Sequence, residues 1–114
     1  MVFPEYNHGF CAPLKNAIDF LHHEWAHKPV GLVSYGGVSA GLRGAQMLKQ
    51  VLLAERMLPL TTAVSIPFVA NMVDDDRVLQ PNDIMETAAR QMLDELVEHE
   101  RALRPLRVVR SAAG

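Results

Sequence analysis

The feature that most constrains the fold is a regular alternation between short apolar runs and segments with helical spacing. Apolar runs at residues 30–35 and 60–66 contain several β-branched residues, as buried strands do, and the apolar stub at residues 1–3 reads as the end of a further strand. Alternation of this kind favours a parallel sheet with helices on its faces, so the sequence predicts an α/β fold. Segments with helical spacing cover residues 13–27, 42–58 and 83–104.

The third helical segment also sets the domain boundary. Asn82 and Asp83 are good N-cap residues for its start, and Pro105 marks its end. The sequence therefore predicts a folded domain over residues 1–104 and a mobile C-terminal tail over residues 105–114.

Two clear strands and a stub are few for a parallel sheet, because such sheets need both faces covered and usually contain more strands. We expect a chain that lacks N-terminal strands of its fold or that completes itself with a partner. The strand at residues 30–35 should then expose an edge to which other chains can pair. This predicts an oligomeric or poorly soluble chain.

Composition excludes several classes of protein. The formal net charge of −2 gives no basic footprint for nucleic acid, and no apolar run approaches the roughly 18 residues of a membrane span. A single cysteine, Cys11, rules out an internal disulfide. Without a signal-peptide pattern, cytoplasm is the default location.

A glycine-rich turn, Gly36-Gly37-Val38-Ser39-Ala40-Gly41, separates a predicted strand from a predicted helix. Open α/β sheets bind ligands at the carboxyl ends of their strands, where glycines allow close backbone approach and a helix N-terminus offers free N–H groups. The turn lacks the lysine of a phosphate-binding P-loop and the three spaced glycines of the dinucleotide fingerprint. A tight turn without a ligand is an equally good interpretation.

A second loop of this kind, Pro4-Glu5-Tyr6-Asn7-His8-Gly9, follows the apolar stub and precedes a helix, and its residues Asn7-His8-Gly9 are typical of a turn. Two such loops on one edge of a sheet would form two walls of one crevice. A flat ring with polar edges, such as a flavin, suits a crevice of this shape. The alternative is an ordinary turn in which Tyr6 packs against the domain.

Several motifs carry a resemblance to a known family. Their order and spacing, over roughly residues 3–70, are similar to those of the NAD(P)H-dependent FMN reductases. The motifs are Pro4-Glu5-Tyr6-Asn7, Leu14-Lys15-Asn16-Ala17-Ile18-Asp19, Lys28-Pro29, Ser34-Tyr35-Gly36-Gly37 and Gly41-Leu42-Arg43-Gly44-Ala45-Gln46.

The resemblance implies a flavodoxin-like parallel sheet with flanking helices, of which the N-terminal strands have no counterpart here. It also implies a dimer or tetramer with FMN at the carboxyl edge of the sheet. Hydride would pass from NADPH or NADH through FMN to an acceptor such as a quinone, an azo compound or free flavin. The phosphate-binding loop of the family also has no counterpart in this chain, so the alternative is a non-catalytic α/β remnant or dimerisation module without flavin.

Site residues are carried over from the family one by one. Arg43 is expected near a nicotinamide phosphate or a subunit interface. No catalytic acid or base is assigned, because FMN performs the hydride chemistry and protein groups position it. The residues expected to hold the flavin ring are Pro4, Glu5, Tyr6 and Asn7 in one loop and Ser34, Tyr35, Gly36 and Gly37 in the other.

A third hypothesis, zinc hydrolysis, rests on the H-E-x-x-H spacing of His23, Glu24 and His27. On a helix this spacing places two imidazoles on one face, with a glutamate to activate bound water. His27, however, falls at the predicted helix end just before Pro29, and no third ligand follows at metalloprotease spacing. A solvated helix end is the favoured interpretation.

Overall fold

A computed structural model describes residues 1–111 of the chain. The backbone alternates between strands and helices, as predicted, although several strands are shorter than expected. The strands are β1 (Val2–Tyr6), β2 (Gly9–Phe10), β3 (Pro29–Val30), β4 (Val33–Tyr35), β5 (Leu58–Pro59) and β6 (Val64–Ile66), and the helices are α1 (Ala12–Asp19), α2 (Leu42–Ala54) and α3 (Asp83–Ser111).

The main sheet has the strand order β2-β1-β4-β6. Strands β1, β4 and β6 are parallel, with Phe3 opposite Ser34 and Ser34 opposite Ser65, while β2 returns antiparallel beside β1. A second, two-stranded sheet joins β3 to β5. The parallel α/β sheet predicted from the sequence is therefore confirmed.

The predicted exposed edge on the strand at residues 30–35 is wrong, because β4 is paired on both sides. The predicted strand is also divided into β3 and β4 around Gly31. There the Sδ atom of Met92 would stand 3.0 Å from an added Cβ atom. Within residues 1–111, the second side of β1 is paired only at Glu5 and Tyr6.

Two apolar layers cover the faces of the sheet. Helices α1 and α2 bury one cluster and α3 buries the other, and each fully buried Leu or Phe contributes roughly 1.5–3 kcal/mol. The largest members of the first cluster are Phe3, Ile18, Leu32, Leu48 and Leu52, and those of the second are Leu60, Val64, Ile66, Met85 and Met92.

Helix α1 ends at Asp19, so the predicted continuation to His27 is wrong. The indole Nε1 of Trp25 donates to the carbonyl oxygen of Ile18 at 2.9 Å, which satisfies an acceptor of the last turn. Trp25 itself lies in a short 3₁₀-helix, His23–Trp25.

Helix α2 ends at Ala54, four residues before the predicted end. Arg56 adopts a left-handed conformation with φ 60°. The N–H of Met57 donates to the carbonyl of Leu52, and that of Arg56 to the carbonyl of Leu53. These two bonds form a Schellman motif, which stops the helix through backbone bonding.

Helix α3 begins as predicted, with Oδ1 of Asn82 accepting from the N–H of Met85 at 2.9 Å. Its predicted end at Pro105 is wrong, since the helix continues to Ser111. Beyond the proline, Arg107 donates to the carbonyl of His27 at 2.7 Å. The mobility of the predicted tail stays a prediction, and its residues 112–114 lie outside the described part of the chain. No helix in the described range combines the length and apolar character that a membrane span needs.

Candidate functional site

The Pro4-Glu5-Tyr6-Asn7 segment is the end of a strand and the start of a tight hairpin. Asn7 and His8 have φ angles of 46° and 69°, and such left-handed pairs join antiparallel strands in type I′ turns. Pro4, Glu5 and Tyr6 lie within β1. Because side chains alternate along a strand, Pro4 and Tyr6 share one face of the sheet and Glu5 points to the other.

Tyr6 projects from the hairpin with 64% of its surface exposed. Beside it lies an open groove of about 530 Å³ between the hairpin and the start of α1. The groove is largely apolar. The groove is lined by Pro4, Tyr6, Phe10, Cys11, Ala12 and Pro13.

Glu5 connects the hairpin to the glycine-rich loop. Its Oε2 accepts from the hydroxyl of Ser39 at 2.7 Å and from the backbone N–H of Arg43 at 3.2 Å. Its Oε1 accepts from Nε of Arg43 at 2.6 Å. The side chain of Glu5 is only 5% exposed. The two loops expected to share one edge of the sheet are thus in direct contact.

Arg43 also reaches the hairpin turn, where its Nη1 lies 2.8 Å from Nε2 of His8. A guanidinium has no acceptor, so Nε2 of His8 must be the accepting nitrogen. Burial raises the pKa of Glu5, but the hydrogen bonds from Ser39 and Arg43 and the charge of Arg43 outweigh it and hold the pKa below the usual 4.5. Glu5 is therefore ionised at neutral pH.

The side chain of Ser34 holds the glycine-rich loop from within. Ser34 is 2% exposed, and its Oγ donates to the carbonyl of Ala40 at 2.9 Å. Tyr35 packs against the cluster beneath α3. Gly41 has a φ of +80°, and a Cβ there would lie 2.6 Å from the Cβ of Ser34, so only glycine fits.

The backbone of the same loop is partly free. The N–H of Gly36 donates to Ile66, and the carbonyls of Gly36 and Gly37 accept from Val69 and Phe68. Among residues 1–111, the amides at positions 37–39 have no hydrogen-bond acceptor. The loop therefore offers three unbonded N–H groups at the carboxyl end of β4.

Sequence reasoning missed the contribution of Ser39 and the amides at positions 38 and 39. Glu5 is predicted to hold the flavin ring, and in the structure its carboxylate bonds Ser39 and Arg43. Ser39, a polar residue shortly before α2, was the signal in the sequence for a hydrogen bond at this loop. Its partner could not be predicted, because only the folded chain brings Glu5 within hydrogen-bonding distance of Ser39. Flavin contacts for the eight carried-over residues stay predictions.

The H-E-x-x-H segment does not form the arrangement a zinc site requires. His23 and Glu24 lie in a single 3₁₀ turn and His27 has a left-handed φ of 62°, so the two imidazoles do not share a helix face. Nδ1 of the neighbouring His22 instead lies 2.6 Å from Oε2 of Glu55. Within the described residues, no cluster of three His, Cys, Asp or Glu side chains is placed to hold a metal ion. The zinc hydrolase hypothesis is therefore rejected.

Comparison with known proteins gives consistent matches. The model of a family described as NADPH-dependent FMN reductase matches residues 1–71. The chain is 41% identical over 69 residues to the NAD(P)H-dependent FMN reductase ntnL of Nectria sp, covering 60% of this chain and 34% of that protein. It is 44% identical over 80 residues to LOT6, an NAD(P)H-dependent FMN reductase of Saccharomyces cerevisiae, covering 69% and 41%. The chain thus spans only 34% and 41% of the lengths of these two relatives.

A solved structure supports the fold. The flavoenzyme NAD(P)H:(acceptor) oxidoreductase FerB from Paracoccus denitrificans superposes with a TM-score of 0.69 at 21% identity, over 90% of this chain and 59% of that one. At this identity the likeness speaks for the fold alone. It confirms the flavodoxin-like arrangement of sheet and helices.

Proposed function

The chain belongs to the NADPH-dependent FMN reductase family, and on that premise we propose that it forms the ring-binding edge of an FMN site in a flavin-dependent oxidoreductase. The proposed reaction passes hydride from NADPH or NADH through FMN to a small-molecule acceptor such as a quinone, an azo compound or free flavin. Relatives named as quinone oxidoreductases, including one from Arabidopsis thaliana that is 43% identical over 51 residues, support an acceptor of the quinone class.

The observation that carries the proposal is the pair of adjoining loops at one edge of the sheet. The unbonded amides at positions 37–39 are donors suited to the carbonyl oxygens and ring nitrogens of a flavin. Tyr6, exposed on the neighbouring strand, offers an aromatic face and a hydroxyl group. Backbone donors and an aromatic side chain at the same edge of the sheet suit a flat ring that is apolar on its faces and polar at its margin.

FMN, when bound, supplies the hydride chemistry, and the protein supplies binding and orientation. The backbone of Pro4 and Asn7 and the ring of Tyr6 would hold one side of the flavin. The N–H groups at positions 37–39 would bond its polar margin, and Ser34 would act indirectly by fixing their loop. None of these roles requires a general acid or base.

A fluorescence titration of FMN with the purified chain tests the proposal. We expect saturable quenching with micromolar affinity, since flavin emission is quenched on binding beside an aromatic ring. Tyr6→Ala should weaken binding about tenfold, the size expected for loss of one base-stacking aromatic contact. Val2→Ala is the matched control, because Val2 lies on the same face of β1 and is 70% exposed but lies outside the Tyr6 groove.

The outcome of the titration also decides between the two remaining hypotheses. Absence of quenching at high micromolar protein would contradict the proposal and favour a non-catalytic assembly module.

We further propose a homodimer or homotetramer, which light scattering tests, and a cytoplasmic location, for which the single Cys11 is the supporting feature.

A further inference from the structure

We infer that Glu5 is a positioning residue, whose carboxylate clamps the glycine-rich loop and the start of α2 to the hairpin instead of contacting flavin. The clamp follows from geometry alone, while its effect on flavin rests on the proposed function.

Helix α2 has no local N-cap side chain. The N-cap position is Gly41, which has no side chain and makes no side-chain cap bond. Substitution cannot supply one, because a Cβ at Gly41 would lie 2.8 Å from the backbone nitrogen of Tyr35. The close approach of the loop to β4 therefore leaves the first turn of α2 without a cap of its own.

Glu5 provides that cap from 38 positions earlier in the chain. Oε2 accepts from the backbone N–H of Arg43, the second residue of α2, as an N-cap side chain would. A carboxylate is also favoured there by the positive end of the helix dipole. The Nε bond from Arg43 fixes the same helical residue a second time.

The third contact restrains the ligand-facing part of the loop. The hydroxyl of Ser39 donates to Oε2 of Glu5, and Ser39 carries one of the three unbonded amides. A carboxylate has about four acceptor sites, and three of those of Glu5 are used within the protein. With 5% of its side chain exposed, Glu5 has little capacity left for a ligand.

Hydrogen exchange measured by mass spectrometry tests the clamp without any ligand. In Glu5→Gln we expect the hydrogen-bonded amides of Ala40, Leu42 and Arg43 to exchange about tenfold faster, because charge-assisted bonds are lost and the local opening cost falls. Protection at the buried Leu48 and Leu52 should not change, which shows that the variant is folded. Ser39→Ala, which removes one contact, should give a smaller increase in the same segment, and the exposed Glu98→Gln should give none.

FMN titration of the same variants then distinguishes a positioning role of Glu5 from direct contact between Glu5 and FMN. We expect Glu5→Gln to weaken FMN binding several-fold. Faster loop exchange with unchanged FMN affinity would contradict the positioning role. Unchanged loop exchange with weaker FMN affinity would also contradict it, because Glu5 would then bind FMN directly. If the wild-type chain binds no FMN, the proposed function fails, but the clamp is not thereby rejected. The clamp is rejected only if the loop amides of Glu5→Gln exchange as slowly as those of the control Glu98→Gln.

Discussion

The Nε atom of Arg43 donates to Oε1 of Glu5 at 2.6 Å, and this contact joins the end of β1 to the first turn of α2. The two residues stand in motifs that the sequence presents as separate loops. Because side chains alternate along β1, Glu5 faces the glycine-rich loop and Tyr6 faces the groove on the other side of the sheet. The segment therefore holds the site together on one side of the sheet and leaves Tyr6 available on the other.

Acid should weaken the Glu5 clamp. Burial raises the pKa of Glu5, yet bonding to Ser39 and Arg43 lowers it below 4.5 overall. A group with a depressed folded-state pKa contributes its full stability above the unfolded value and loses it as the pH falls through the folded value. We expect the free energy of unfolding of the wild type to exceed that of Glu5→Gln at neutral pH, with the difference shrinking below pH 4.5.

Urea denaturation of both proteins from neutral pH to about pH 3 measures this difference. Glu24 and Glu95 also have lowered pKa values, the first through backbone hydrogen bonds and the second through the Thr62 hydroxyl. Both remain in Glu5→Gln, so the subtraction isolates Glu5. A difference that is constant over the whole pH range would contradict the clamp.

Gly44→Ala should destabilise the domain by forcing α2 away from the hairpin. A Cβ at Gly44 would stand 2.9 Å from the carbonyl oxygen of Gly9 in β2, a backbone atom that cannot rotate aside. Overpacking of this kind costs about 1–3 kcal/mol, while alanine regains about 1 kcal/mol of helix propensity. We expect a net loss of up to about 2 kcal/mol in urea denaturation.

Gly37→Ala is the control for this substitution, because nothing lies within 4 Å of a Cβ at that position. Its free energy of unfolding should stay within about 0.5 kcal/mol of wild type. A Gly44→Ala variant more stable than wild type would show that the hairpin is not packed against α2 as described.

Arg107→Ala should loosen the C-terminal half of α3. The guanidinium bonds the carbonyl of His27 at 2.7 Å, pairs with Glu100 and is 23% exposed. We expect a loss of about 1.5–3 kcal/mol, the range for a hydrogen bond to a charged group. Arg104, which pairs with the same Glu100 but is 74% exposed, is the matched control, and its alanine variant should change stability by less than about 1 kcal/mol. Equal losses for the two variants would contradict a specific anchoring role for Arg107.

Local chemistry predicted much of this fold. The N-cap at Asn82 and the turn at Asn7 depend on neighbouring residues, so the sequence alone indicated both. The end of α1 depends on the indole of Trp25 bonding a carbonyl seven positions earlier, and the continuation of α3 past Pro105 is accompanied by a contact between Arg107 and His27 across 80 positions. Contacts of this range leave no periodic signal.

The contrast between local and long-range contacts also explains which parts of the candidate site could be predicted from the sequence. The motif resemblance located both loops, because those residues are contiguous in sequence. The role of Glu5 depends on Ser39 and Arg43, 34 and 38 positions away, and on a sheet register that sets β1 beside β4. A side chain that bonds within the protein and one that bonds a ligand look identical in a motif.

Amide chemical shifts recorded by NMR during an FMN titration test whether the two loops together bind flavin, because the shifts report both loops residue by residue. We expect the largest shifts to fall together on Tyr6 and Asn7 in the hairpin and on Gly37, Val38 and Ser39 in the glycine-rich loop, with α3 unaffected. Shifts that are absent at saturating FMN, or that fall on α3 and spare these two loops, would contradict this expectation.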